Sequence, residues 1–391
     1  MLQMSSALLF IAFVGYLIAT LLFGGAVRGK GQQTTSHMRF SKWASIVTVI
    51  SFIANIGYFI ARWTYTGHAP VSNMFEFTTA FAMFIVAAFI VLYRTYEMPT
   101  LGLIALPVAI IIIAYANMFP SEVAPLIPAL KSHWLTIHVL TTVLGEAILA
   151  ISAFSGLIYL LKTVDTTKRS LERFFLACIM YALIVVIGFI GVTTYFNATN
   201  YEASFTYVDK DQQQAEMTYN MPPIFGMHQY EAQTAAMTPL AEMPAWINAK
   251  KLTTVAWSLI VGTILYALIR VMLRKPIARV MQPLLKRAPL PLLDELSYRS
   301  VLVGFPVFTL GALIFAMIWA QEAWSRMWGW DPKEVWALIT WLYYAAFLHM
   351  RMSRGFTGKK SAWLAVIGFA IIMFNLIAVN LIIAGLHSYA E

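Results

Sequence analysis

Ten apolar runs of membrane-crossing length leave this chain one general architecture. They lie near 7–27, 43–61, 76–93, 101–117, 139–161, 175–195, 252–273, 301–320, 337–350 and 362–384. A helix needs roughly 17–25 apolar residues to cross the hydrocarbon core. The ninth run is short, and Trp336 with the apolar helix start before it lengthens it. The predicted fold class is all-α: a polytopic integral membrane helical bundle of about ten transmembrane helices, forming a single membrane domain over 1–391. Composition agrees, with 60% hydrophobic and 12% charged residues, where soluble domains carry about 45–50% and about 25%. The first run lacks a basic leading segment and the pattern continues after it, so it is expected to be a span and not a cleaved signal peptide.

Charge placement gives a direction. Of the 27 lysines and arginines, 20 fall in the connections 28–42, 94–100, 162–174, 270–300 and 351–361, and 7 on the opposite side. By the positive-inside rule these connections are cytoplasmic and both termini lie on the outer side. The net charge of +9 therefore reports topology, and no nucleic-acid partner is expected. The outward segments are then 62–75, 118–138, 196–251, 321–336 and the tail 385–391. The stretch 196–251 is polar and mildly acidic, contains Pro222-Pro223 and has no clear period. It is expected to be an external loop or small cap, ordered in part.

The seven histidines sort by depth. His37 lies in a cytoplasmic loop, and His68, His133 and His228 in external ones. His138 opens the fifth span at the outer surface, and His387 follows the tenth span after Gly385, a helix-stop residue. His349 falls near the cytoplasmic end of the ninth span. A lone interfacial histidine is more often an anchor than a ligand. An ionisable group within a span is costly and suggests function by default, which singles out His349. The outer pair matters as a pair, because bis-histidine ligation of haem iron needs two imidazoles facing each other, an arrangement that sequence alone does not show.

Tryptophan clusters once: Trp319, Trp324, Trp328, Trp330 and Trp336 fall within 18 positions. An interfacial aromatic belt would explain one or two per span end. Five in one external segment, 319–336, suit a flat apolar platform for a large planar ligand, with Arg326 and Lys333 near enough to meet carboxylates. In Asp331-Pro332-Lys333-Glu334, Asp331 fits a helix N-cap, Pro332 the first helical position and Glu334 the capping-box partner. Helix initiation explains both acids better than acid–base catalysis does, and Asn73-Met74-Phe75-Glu76 reads the same way. Glu146 is an intramembrane carboxylate, open to a pairing or a proton-carrying role. The single cysteine, Cys178, excludes a disulfide framework, an iron–sulfur cluster and a haem-attachment motif of the chain's own. No phosphate-binding glycine loop or common hydrolase motif is present.

The tryptophan string resembles the WWD signature of membrane haem-handling proteins, and the chain resembles the CcsA/ResC family of system II cytochrome c biogenesis. Pro70-Val-Ser-Asn-Met-Phe-Glu-Phe77, His138-Val139, Leu348-His349-Met-Arg351 and Gly385-Leu-His387-Ser-Tyr389 follow the family's order along 70–389. Ser325 departs from it, standing where the family usually has glycine, and is expected to alter the local turn. Phe75, where tyrosine is common, is a smaller change.

The resemblance implies haem export to the outer face of the cell membrane and presentation for covalent attachment to the Cys-x-x-Cys-His motif of apocytochrome c. Haem b is then both cargo and bound ligand. His138 and His387 correspond to the external iron ligands and His349 to an inner haem site, while Trp319, Trp324, Trp328, Trp330 and Asp331 belong to the haem-binding segment. The implied partners are a CcsB/ResB-like membrane subunit, which completes a cytochrome c synthase of haem lyase type, apocytochrome c, and indirectly a thioredoxin-like thiol reductant. No nucleophile is expected from this chain. A b-type haem quinone oxidoreductase subunit, a secondary transporter, and a CcmC- or CcmF-like relative are the alternatives. The first wants histidine pairs at two depths and the second wants repeat symmetry.

Overall fold

The computed structural model describes residues 1–28, 35–123, 131–208, 213–234, 237–244 and 247–379. Twelve α-helices account for most of these: α1 (Leu2–Arg28), α2 (Thr35–Thr66), α3 (Met74–Tyr96), α4 (Pro99–Ala116), α5 (His133–Thr163), α6 (Leu171–Ala198), α7 (Ala249–Leu273), α8 (Ile277–Met281), α9 (Leu290–Phe308), α10 (Ala316–Trp324), α11 (Pro332–Arg354) and α12 (Lys359–Phe374). A π-helical turn, Thr309–Phe315, joins α9 to α10, so the helical path is continuous over Leu290–Trp324. Among the described residues nine helical segments are long and apolar enough to cross a membrane. The ninth predicted span, 337–350, lies in α11, which has the length at 23 residues. Its tryptophans, tyrosines and His349 make it less apolar than the others. The chain is a multi-pass helical membrane protein.

By its internal contacts the chain divides into two compact units, Thr166–Val280 and the remainder. In the larger unit α5 is central, packing on α3, α9, α12 and the π turn. The cause is its row of small side chains, since Ala147, Ala150, Ser152, Ala153, Ser155 and Gly156 are all buried. Small residues let helices in lipid approach closely, and van der Waals contact rather than water exclusion holds them there. A Cβ at Gly145 would lie 2.6 Å from the Phe308 backbone nitrogen. The Ser152 and Ser297 hydroxyls bond across the α5–α9 interface at 2.9 Å.

Both ends of the larger unit are pinned by buried or half-buried charge. Arg62 on α2 and Glu76 on α3 are 2% and 1% exposed and meet at 2.6 Å. The second Glu76 oxygen accepts from the Ser72 amide and hydroxyl, and Arg62 donates to the Ser121 carbonyl. Asn73 caps α3 by accepting from the Glu76 amide. Glu76 thus joins two helices as well as sitting in a first turn, which its local sequence does not reveal. At the opposite, basic end Arg351 forks onto both Asp294 oxygens at 2.9 and 2.7 Å. Asp294 also accepts from the Gly358 amide, which fixes the turn between α11 and α12.

In the smaller unit α6 and α7 pair, and the Tyr181 and Thr263 hydroxyls meet at 2.8 Å. The described residues of the stretch 196–251 contain five strands: β1 (Ala203–Val208), β2 (Gln214–Tyr219), β3 (Phe225–Gly226), β4 (Glu231–Ala232) and β5 (Ala241–Glu242). They form an antiparallel sheet ordered β2-β1-β4 and a parallel pair β3-β5. Ala203, Phe205 and Tyr219 make a small core against Tyr201, Met217 and Tyr230. Alternation over a few residues of β1 was the whole sequence signal for this sheet, and the surrounding polar residues hid it.

Candidate functional site: the tryptophan end of the large unit

His138 sits in the second turn of α5, half-buried. Its Nδ1 lies 2.9 Å from the Gly311 carbonyl oxygen, inside the π turn. A carbonyl can only accept, so Nδ1 carries the proton and the neutral ring's lone pair is on Nε2, the atom that would ligate a metal. The ring stacks on Trp319, with centroids 5.7 Å apart and planes at 12°. Thr142 donates its hydroxyl to the His138 carbonyl at 2.8 Å. Tautomer and ring plane are both set by neighbours.

The tryptophans do not share a plane. Trp319 meets Trp324 edge-on, at 4.7 Å and 64°, and Trp328 meets Trp330 at 6.2 Å and 82°. Trp319, parallel to the imidazole, is a wall beside His138, and the steep angles among the other indoles mean that the cluster is not a flat platform. Trp319 is buried at 3% exposure, and Trp330 is 69% exposed. Trp336 packs on Phe374 at 4.3 Å.

The loop between α10 and α11 is held by backbone bonds to acids. Asp331 is the α11 N-cap and accepts from the Lys333 amide at 3.0 Å. Glu334 closes the capping box on the Asp331 amide and also accepts from the Gly329 amide at 2.7 Å. These bonds bracket Trp330, whose φ of 58° is left-handed, a conformation that costs a bulky residue about 1–2 kcal/mol. Glu334 therefore holds a strained, exposed indole, a role its capping spacing alone does not convey. Ser325 caps α10 with φ 55° and donates its amide to the Gln321 carbonyl. Serine here adopts the left-handed turn that glycine takes without steric cost.

Arg326 is exposed, with its guanidinium folded against Gly329. Lys333 lies within electrostatic reach of Asp331 and Glu146. It faces acids of its own chain. Glu146 is buried at 6% exposure, beside Gly145 at the α5–α9 contact.

His387 is outside the described residues. His349 is on α11, roughly 27 Å of helix rise from Asp331, exposed, with the Ser353 hydroxyl 3.3 Å from its Nδ1. Sequence reasoning missed Gly311 and the π turn altogether. Pro306 and Gly311, two helix-perturbing residues in one apolar run, were the available signal.

A family model described as cytochrome C assembly protein matches residues 71–387. A cytochrome c biogenesis protein CcsA of Microcystis aeruginosa is 31% identical over 333 residues, covering 84% of this chain and 81% of its own. The CcsA protein of Pyropia yezoensis is 28% identical across 99% of this chain and 97% of its own. That of Marchantia polymorpha is 29% identical across 85% and 82%. With the match covering residues 71–387, the chain belongs to the cytochrome c assembly protein family and, within it, to the CcsA proteins.

Proposed function

We propose that this chain matures cytochrome c by carrying haem b across the cell membrane and presenting it, at the tryptophan end, to apocytochrome c. The observation that carries the reading is His138, with Nδ1–H committed to the Gly311 carbonyl and its plane set by Trp319. Iron-ligating histidines almost always have such an outer-shell acceptor. The charge bias supports an outward tryptophan end and outward termini.

On this reading His138 and His387 would supply the imidazoles that hold the iron, while Trp319, Trp324, Trp328, Trp330 and the Asp331-capped loop would wall the haem. His349, exposed near the basic end, suits an earlier site whose second ligand comes from a CcsB/ResB-like subunit, the two subunits together forming the synthase. Apocytochrome c thiols, kept reduced by a thioredoxin-like system, then add across the haem vinyl groups. Each sulfur bonds to one vinyl carbon and the thiol hydrogen goes to the other, so nothing leaves and no protein nucleophile is needed. The chain's contribution is positioning and control of the iron.

The test is co-expression of this chain and its partner subunit with a Cys-x-x-Cys-His reporter in a host lacking its own maturation genes. Covalent haem on the reporter is expected, and its loss in the His138→Ala variant. Equal covalent haem with His138→Ala would refute the assignment.

A further inference from the structure

The π turn is the one irregularity in the helical path Leu290–Trp324 among the described residues, and it falls where that path meets His138. In an α-helix each carbonyl accepts from the amide four residues on. Here the Gly311 oxygen accepts from Ala316, five residues on, and also lies 2.9 Å from His138 Nδ1. Both lone pairs of this oxygen are thus used. A π turn inserts one residue into the helix, and such turns recur at functional sites.

The second requirement is closeness. A Cβ at position 311 would lie 2.4 Å from the Thr142 nitrogen and 2.7 Å from the Thr141 carbonyl carbon and Thr142 Cα. These are backbone atoms, which cannot rotate aside. Any side chain at 311 must push α5 and the turn about 1 Å apart to restore ordinary contact, enough to stretch a 2.9 Å hydrogen bond beyond its working range.

We propose that Gly311 is the positioning residue of the haem site: through its π-turn carbonyl and its missing Cβ it fixes the His138 tautomer and makes that imidazole a stronger donor to iron. The proposal rests on His138 being an iron ligand, and it adds a consequence that ligation alone does not have. A donated Nδ1–H leaves more electron density on Nε2, which favours ferric iron and lowers the haem potential.

The experiment uses the full chain purified in detergent from haem-replete cells, with haem content, midpoint potential and electron–nuclear double resonance of the Nδ1 proton as readouts. Gly311→Ala is expected to raise the potential, weaken the Nδ1–H bond and lower haem affinity about 10–100-fold, the usual effect of losing an outer-shell partner. Gly304→Ala crowds the same helix pair at Leu149, away from His138, and is expected to leave the potential and the Nδ1 proton unchanged. An unshifted potential and proton signal in Gly311→Ala would overturn the proposal, as would equal shifts in both variants. If Gly311→Ala does not accumulate, the unmutated protein decides: a strongly hydrogen-bonded Nδ1 proton on an axial imidazole supports the proposal, and its absence overturns it. His138→Ala separates the two claims. Unaltered haem in that variant removes the ligand assignment itself, whereas haem loss there with an unmoved Gly311→Ala removes only the role of Gly311.

Discussion

The two ends of the large unit hold a histidine in opposite ways. His138 is half-buried, stacked on Trp319 and bonded to a carbonyl of another helical segment. His349 is exposed, and its ring nitrogens lie within 3.3–3.4 Å of the Ser353 hydroxyl, one turn along its own helix. A ring oriented in advance by its own chain can offer iron a fixed lone pair. A ring on the bundle's surface gains its orientation from whatever covers it. The contrast matches the division proposed above, with one site built within this chain and one shared with a second subunit.

That contrast can be broken by mutation. His138→Ala should abolish holocytochrome formation, whereas His349→Ala should reduce it and recover in part with added imidazole, because an exposed position admits a free ligand. Holocytochrome yield with and without imidazole checks this, and identical responses would erase the distinction.

The charge pairs that brace the two ends come next. Arg62→Ala strands a buried Glu76 and should cost about 3–5 kcal/mol. Arg351→Ala should cost less, since that pair is more exposed at 10% and 17%. Thermal unfolding in detergent orders the two, and a larger loss for Arg351→Ala would contradict the burial argument.

Smaller effects sharpen the picture of the tryptophan loop. Glu334→Ala removes the acceptor on both sides of Trp330 and should cost about 0.5–2 kcal/mol, the range for a lost cap. Increased quenching of tryptophan fluorescence should accompany it, and unchanged quenching would mean that the loop holds its shape by other means. Ser325→Gly, relieving a left-handed serine, should stabilise by about 1 kcal/mol with haem content unaltered.

Much of this was legible in the residues. Apolar run length marks spans because lipid imposes it, and Asp331-Pro-Lys-Glu334 reads as a helix start because capping is local. His138 and the tryptophans stood out by position and density. The pairings of Arg62 with Glu76 and Arg351 with Asp294 were hidden, because partners far apart in sequence meet only through helix packing. The same holds for Gly311, whose importance lies in a carbonyl and an absent Cβ facing another helix. Coplanarity of the tryptophans could not be read either, since spacing sets proximity and side-chain torsions set plane.

The most direct measurement of the central claim is the visible spectrum, oxidised and dithionite-reduced, of the full chain purified with its partner subunit, compared with the His138→Ala variant. The account predicts sharp reduced bands of low-spin b-type haem, with the tryptophan-end component lost in the variant. An unchanged low-spin spectrum in His138→Ala, or a haem-free protein from haem-replete cells, would contradict it.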